Sequence, residues 1–227
     1  MKTHRIAAIV LTPVALLALS GCGTHAGVSA TVDGTKISTS DVDLLTRVQC
    51  DGLDQAQGSS GATTTPVAVV RQQALNGLID SVLNEKFAAA KGGAYDKAAY
   101  RAEMNQVEQQ LLTEVPKNDQ DQMRAVIAQF DKGQLQAQEI GRRELLKQGV
   151  AKPSADEDLN AAYTLRADWA KALKITVDPA YAPGKSGLPG TGDRSVSKPI
   201  SDFAKQGVAS QPATTWADGL PKVQKCG

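Results

Sequence analysis

The sequence predicts a mostly α-helical domain carrying a small N-terminal β-hairpin that a late C-terminal strand joins, with a disordered tail behind it. Three observations carry this reading. Apolar residues recur at spacings of three and four through long stretches between residues 67 and 173. Near the start, Asp33-Gly34 separates two short alternating runs, which is a strong hairpin signal. Much later, Lys174-Ile175-Thr176-Val177-Asp178-Pro179 reads as one more extended piece.

The chain opens Met1-Lys2-Thr3-His4-Arg5 and then runs largely apolar from Ile6 to Leu19, the charged region and short apolar region of a secretory signal. A bilayer span needs about 20 apolar residues, so this run is a signal peptide and not a membrane helix. It closes on Leu19-Ser20-Gly21-Cys22, which resembles the lipobox of bacterial lipoproteins. That resemblance implies cleavage after Gly21 and acylation of Cys22, with residues 1–21 as signal peptide and 22–27 as a lipidated tether. Several acyl chains on one residue hold a protein stably where a single chain does not. The expected location is therefore the extracytoplasmic face of a bacterial cell membrane, lipid-anchored.

The hairpin is built from Val28, Ala30 and Val32 on one side and Lys36-Ile37 on the other. Ser40 then caps a first helix through Val42, Leu45 and Val48. Residues 54–65, DQAQGSSGATTT, read as a flexible connector. Pro66 suits a helix start, and Val67, Val70, Ala74, Leu75, Leu78, Ile79, Val82, Leu83 and Phe87 form a wide stripe that Gly92-Gly93 ends. Asp96 caps the next helix, whose stripe is Tyr100, Met104, Val107, Leu111 and Val115. A further helix from Asn118 or Asp119 carries Met123, Val126, Ile127, Phe130, Leu135, Ile140 and Leu145, with Gly133 as a point where it bends or splits. Ser154 and Glu157 make a capping box for the last long helix, with Leu159, Ala162, Tyr163, Trp169 and Leu173 on one side.

From Ala182 the composition shifts to Pro, Gly, Ser and Lys and the apolar period is lost. Such a segment buries too little surface to offset its ordering entropy, so residues 182–227 read as a flexible tail. Once Cys22 is acylated, Cys50 and Cys226 remain as a pair in an oxidising compartment, which predicts a disulfide; the alternative is two free thiols.

Several chemistries are disfavoured by inventory. Removing residues 1–21 takes away Lys2 and Arg5 and no acid, leaving 23 basic against 24 acidic side chains, a formal charge of −1. A nucleic-acid binder usually carries a basic face. Aromatics are 4% of the chain, too few for a base-stacking platform. Past the signal peptide there is one histidine, His25, in the tether, which leaves a Ser-His-Asp triad or a clustered zinc site without ligands. Asp156, Glu157 and Asp158 lie in the first turn of a helix, where the dipole favours negative charge. No catalytic residue, metal ligand or cofactor is expected.

The arrangement resembles the SurA N-terminal type of extracytoplasmic chaperone, whose relatives include the PrsA foldases and the peptide-binding arm of trigger factor. Val32, Gly34, Ile37, Ser40 and Asp41 match that family's strand, turn and helix-cap pattern, and Asp178, Pro179 and Tyr181 match its late strand and exit. The resemblance covers residues 28–181. It implies a small clamp of strands that gathers the ends of a helical module, and helices that offer apolar surface to unfolded or exported polypeptides. Tyr100, Met104, Val107, Met123 and Phe130 are the expected client contacts, since methionines and aromatics suit promiscuous apolar surfaces. The chain departs from the family in having no room for a parvulin domain, so it is expected to be an isomerase-family scaffold and not an enzyme. The alternative is a non-catalytic envelope scaffold lipoprotein that binds one specific partner.

Overall fold

The computed structural model describes residues 26–60, 63–181, 201–207 and 213–227. Cys22 and residues 182–200 lie outside them. Strands β1 (Val28–Val32) and β2 (Thr35–Ser38) form the expected hairpin. Its turn places Asp33 at φ 45° and Gly34 at φ 84°, the left-handed pair that a two-residue hairpin loop requires. Helix α1 runs Thr39–Ser60, followed by the short strand β3 (Thr65–Pro66), α2 (Val67–Lys91), α3 (Lys97–Glu114), α4 (Gln120–Lys147) and α5 (Ala155–Ala170). Strand β4 (Ile175–Val177) leads to a 3-10 turn, Pro179–Tyr181; α6 (Asp202–Gly207), α7 (Thr214–Asp218) and β5 (Lys225–Cys226) follow. Among the described residues no helix is long and apolar enough to cross a membrane.

The late strand does join the hairpin. Strand β4 lies antiparallel to β1, giving the order β2-β1-β4 with the first strand central. Ala30, Val32, Ile37 and Val177 turn one face of this sheet into the core, which continues through Val42, Leu44 and Leu45 of α1 and into α2. Helix α2 is the axis of the molecule. Four consecutive residues, Ser81 to Asn84, are buried in its second half because α1, α4, α5 and the sheet surround it. Phe87, Ala88 and Ile140 make a second cluster, and Trp169 packs against both, its ring 5.5 Å from that of Phe87.

Local side chains set the starts of α3 and α5 as expected. Asp96 Oδ1 accepts from the Ala98 and Ala99 N–H groups at 2.7 and 3.3 Å, and Ser154 with Glu157 forms the reciprocal capping box. The cap of α1 is corrected by two residues: Ser38, not Ser40, accepts from the Asp41 N–H at 3.0 Å and donates to Asp41 Oδ2 at 2.6 Å.

Four expectations differ in ways that have physical causes. The segment 54–65 is not a connector throughout, since α1 continues to Ser60. Gln and Ala are serviceable helix formers, and the second half of α1 is held from outside by the disulfide from Cys50 to Cys226, whose Cα atoms are 4.8 Å apart. Residues 182–227, expected as a flexible tail, carry structure where they are described: β5 pairs antiparallel with β3, and the Gly227 N–H donates to Asp54 Oδ1. Gly133 neither bends nor splits α4; it is buried at the crossing with α2, where a Cβ would come within 3.2 Å of Asn84 Cβ. Tyr163 is not on a buried stripe but more than a third exposed, its ring stacked under the Arg166 guanidinium at 4.8 Å.

Arg166 shows how α5 is fastened to that axis. Its guanidinium donates to Asn84 Oδ1 at 2.6 Å, to Asp80 Oδ1 at 2.8 Å and to the Asp80 carbonyl at 3.2 Å. This satisfies a buried amide that would otherwise cost the desolvation of its oxygen.

Candidate apolar groove at the closed end of the domain

The expected client contacts lie mainly on the hairpin of α3 and α4, and most face inward. Met123 is buried in the main core, while Val107 and Phe130 pack against that core, Phe130 with its ring over Gly77. These three help build the helical stack, Met123 buried and Val107 and Phe130 half-buried. Tyr100 and Met104 stay partly exposed. The Tyr100 ring meets Tyr95 edge-on at 5.4 Å, and burial raises its phenol above the ordinary value, with Tyr95 and Asp131 adding to the shift. Helix α3 buries Leu111 in the main core and is also held by charge, since Arg124 donates to both carboxylate oxygens of Glu108 at 2.8 Å and draws that carboxyl below its usual range.

An apolar concavity forms elsewhere, where the first turns of α2, the 3-10 turn at Tyr181 and the C-terminal elements meet. Its volume is about 570 Å³, and its walls include Val67, Ala68, Tyr181, Phe203, Trp216 and Val223. Each wall has a traceable cause. Asp178 Oδ1 accepts from the Ala180 N–H at 2.8 Å and so folds the chain just after β4. The fold drops Tyr181 inward, where its hydroxyl is hydrogen-bonded to Ser29 Oγ at 2.8 Å. Pairing of β5 with β3, together with the disulfide, carries α7 and the residues after it onto the start of α2.

The polar groups at this groove are few and specific. Arg71 spans the wall, ion-paired to Asp43 at 2.6 Å with its guanidinium carbon 5.3 Å from the Tyr181 ring centre. Arg71 Nε and Trp216 Nε1 are buried and have no acceptor among the described residues. An unpaired buried donor costs roughly 1–3 kcal/mol. At the mouth, Phe203 is 57% exposed with its ring 5.5 Å from Trp216, and Val223 is 86% exposed.

The sequence pattern points to Tyr181 and Cys226, which position this groove, but gives no sign of Phe203, Trp216 and Val223. Their segment lacks an apolar period, and it is brought onto the domain by the Cys50 to Cys226 bond and the pairing of β5 with β3, both joining residues far apart in sequence. Among the described residues there is no group of three or more His, Cys, Asp or Glu set to hold a metal ion. No protein-family model matches this chain, and no curated protein or solved structure matches it.

Proposed function

We propose that this protein is a lipid-anchored, extracytoplasmic, chaperone-like module that binds apolar stretches of unfolded or exported polypeptides without catalysing a reaction. The observation that carries the reading is the groove between α2, Tyr181 and the C-terminal elements, apolar in its walls and with Phe203 and Val223 exposed at its rim. Exposed large apolar groups gathered at one concavity mark a binding surface. The charge pattern selects the occupant. Arg71 is already neutralised by Asp43, so the groove calls for a neutral occupant, and an extended peptide carrying apolar side chains is one. The resemblance to SurA-type chaperones and the lipobox at Cys22 support the same setting.

The test uses the purified full chain and several unrelated unfolded substrates. It should slow their aggregation while leaving the slow cis/trans isomerisation of a proline peptide, tens to hundreds of seconds when uncatalysed, at its spontaneous rate. Phe203→Ser and Val223→Ser should weaken holding several-fold with the melting temperature almost unchanged, because both side chains are exposed. Capture of one folded partner with no holding activity would favour the scaffold alternative. For the anchor, labelled lipid should enter the wild type and not Cys22→Ser.

A further inference from the structure

Phe203, Trp216 and Val223, one side of the apolar groove, all come from the C-terminal elements. Among the described residues from Ser201 onward only Ala217, Leu220 and Cys226 are buried, and none of the three belongs to either apolar cluster of the domain. Helices α6 and α7 have six and five residues, far below the roughly 12–15 that an isolated helix needs to persist. Pairing of β5 with β3 covers two residues on each side, and one of them is Pro66, which has no N–H to donate. A two-stranded pairing is marginal in water even when longer.

The firm tie to the body of the domain is therefore the bond from Cys226 to Cys50. Its other end is well seated. Val42, Leu44 and Leu45 of α1 are in the main core and Val48 packs against it, so Cys50 follows within one turn of the anchored part of the helix. Opening the bond thus frees the weakly held side and leaves the packed side in place. Conformational entropy favours the release, since few buried contacts oppose it.

Exchange begins when a thiolate reaches one of the two sulfurs. Cys50 is half-buried whereas Cys226 is 1% exposed, so attack falls on Cys50. A thiolate of an incoming dithiol bonds to Cys50 Sγ, the bond to Cys226 breaks, and Cys226 leaves as a thiolate that takes up a proton. The second thiol of the reductant then displaces Cys50 as a thiol, and the reductant becomes its own disulfide. Two electrons have passed to the protein. We propose that the Cys50 to Cys226 bond is a redox switch of the groove: a dithiol reductant opens it, frees α6, α7 and β5 from the start of α2 and so releases a bound chain, and exchange with a disulfide oxidant rebuilds the groove. Release of a client rests on the chaperone reading of the groove, whereas the opening itself does not.

The full chain carrying Cys22→Ser has no cysteines besides these two, so thiol counting reads this bond alone. Fluorotryptophan labels Trp169, which packs on both cores, and Trp216, in the groove wall, with Trp216→Phe assigning the two fluorine signals. Dithiothreitol in native buffer should expose both thiols, move the Trp216 signal to that of a solvated ring and leave the Trp169 signal in place. Glutathione disulfide should reverse the change. Holding of unfolded substrates should weaken several-fold in step with the Trp216 shift. Cys50→Ala combined with Cys226→Ala should give the open signal with or without reductant. A bond that resists dithiothreitol in native buffer, a Trp216 signal that stays while both thiols are free, both signals moving together, or full holding after the Trp216 shift overturns the switch. If Trp216 alone shifts and neither redox state holds substrates, the switch stands and the chaperone reading falls.

Discussion

The Tyr181 hydroxyl and Ser29 Oγ lie 2.8 Å apart inside the domain although 152 positions separate them in the chain. Ser29 sits at the start of the central strand and also donates to Thr39 Oγ1 at 3.1 Å, so one short polar chain links the hairpin, the start of α1 and the exit from β4. Replacing Tyr181 with Phe keeps the ring under Arg71 but removes this link. Loss of about 1 kcal/mol is expected, read as a lower urea midpoint with the slope unchanged.

Gly141→Ala places a methyl group on the Asp158 backbone, which cannot move without parting α4 from α5. The expected cost is about 3 kcal/mol or more, the upper end for overpacking. Gly133→Ala meets a side-chain carbon at 3.2 Å and should cost clearly less, so comparing the two melting temperatures checks where the tighter crossing lies.

Arg166→Ala leaves Asn84 Oδ1 buried without its 2.6 Å donor and strips Asp80 of its partner. A loss of roughly 2–3 kcal/mol follows from the orphaned amide, since the side chain of Arg166 is itself mostly buried. Asp80→Ala, which removes only the more exposed contact, should cost under about 1 kcal/mol. Thermal melts of both variants separate these contributions.

Asp131 has its carboxyl raised to about 6, by burial first and by the charge of Glu103 second. A carboxyl whose folded value lies above its unfolded one binds its proton more tightly when folded. Stability from this group is therefore present at low pH and is lost as pH rises through the interval from the ordinary value to about 6. Allowing for its partial exposure, Asp131→Asn should raise stability by about 1–2 kcal/mol above pH 7 and change little near pH 4. Equal effects at both pH values would contradict this.

Cys226→Ser removes the covalent tie of the last residues to α1 while leaving the cores of α2, α4 and α5 untouched. Far-UV circular dichroism should remain near wild type, but the holding activity assigned to the groove should fall to the level of the Phe203→Ser variant. On the unmodified protein, thiol labelling without reductant should find Cys50 and Cys226 unreactive.

Features set by one or two neighbouring residues are legible in the amino-acid sequence. Asp33-Gly34 reads as a hairpin turn because its backbone angles are a local matter, and Ser154 with Glu157 reads as a cap because both partners lie within one helical turn. Long-range dependence hides the rest. Nothing in DQAQGSS announces that a cysteine far downstream will hold it as helix, and Gly133 looks like a breaker although α2 presses against it. The helix dipole suffices to explain Asp156, yet no local pattern records that Asp158, two positions on, is the acid that faces another helix. Met123, Val107 and Phe130 obey the helical period, and the period alone cannot separate a stripe that meets a client from one that meets α1 and α2.

The order of strands has a consequence for a chain that emerges from its N-terminus onward. The central strand is made first, finds β2 within a few residues, and then keeps its other edge bare until residues 175–177 arrive. Every product that stops before that point presents a row of unpaired backbone donors and acceptors, the template on which chains stick to one another. Completion of the sheet thus acts as a length check, distinguishing finished polypeptides from truncated ones by an edge that sits at residues 30–32.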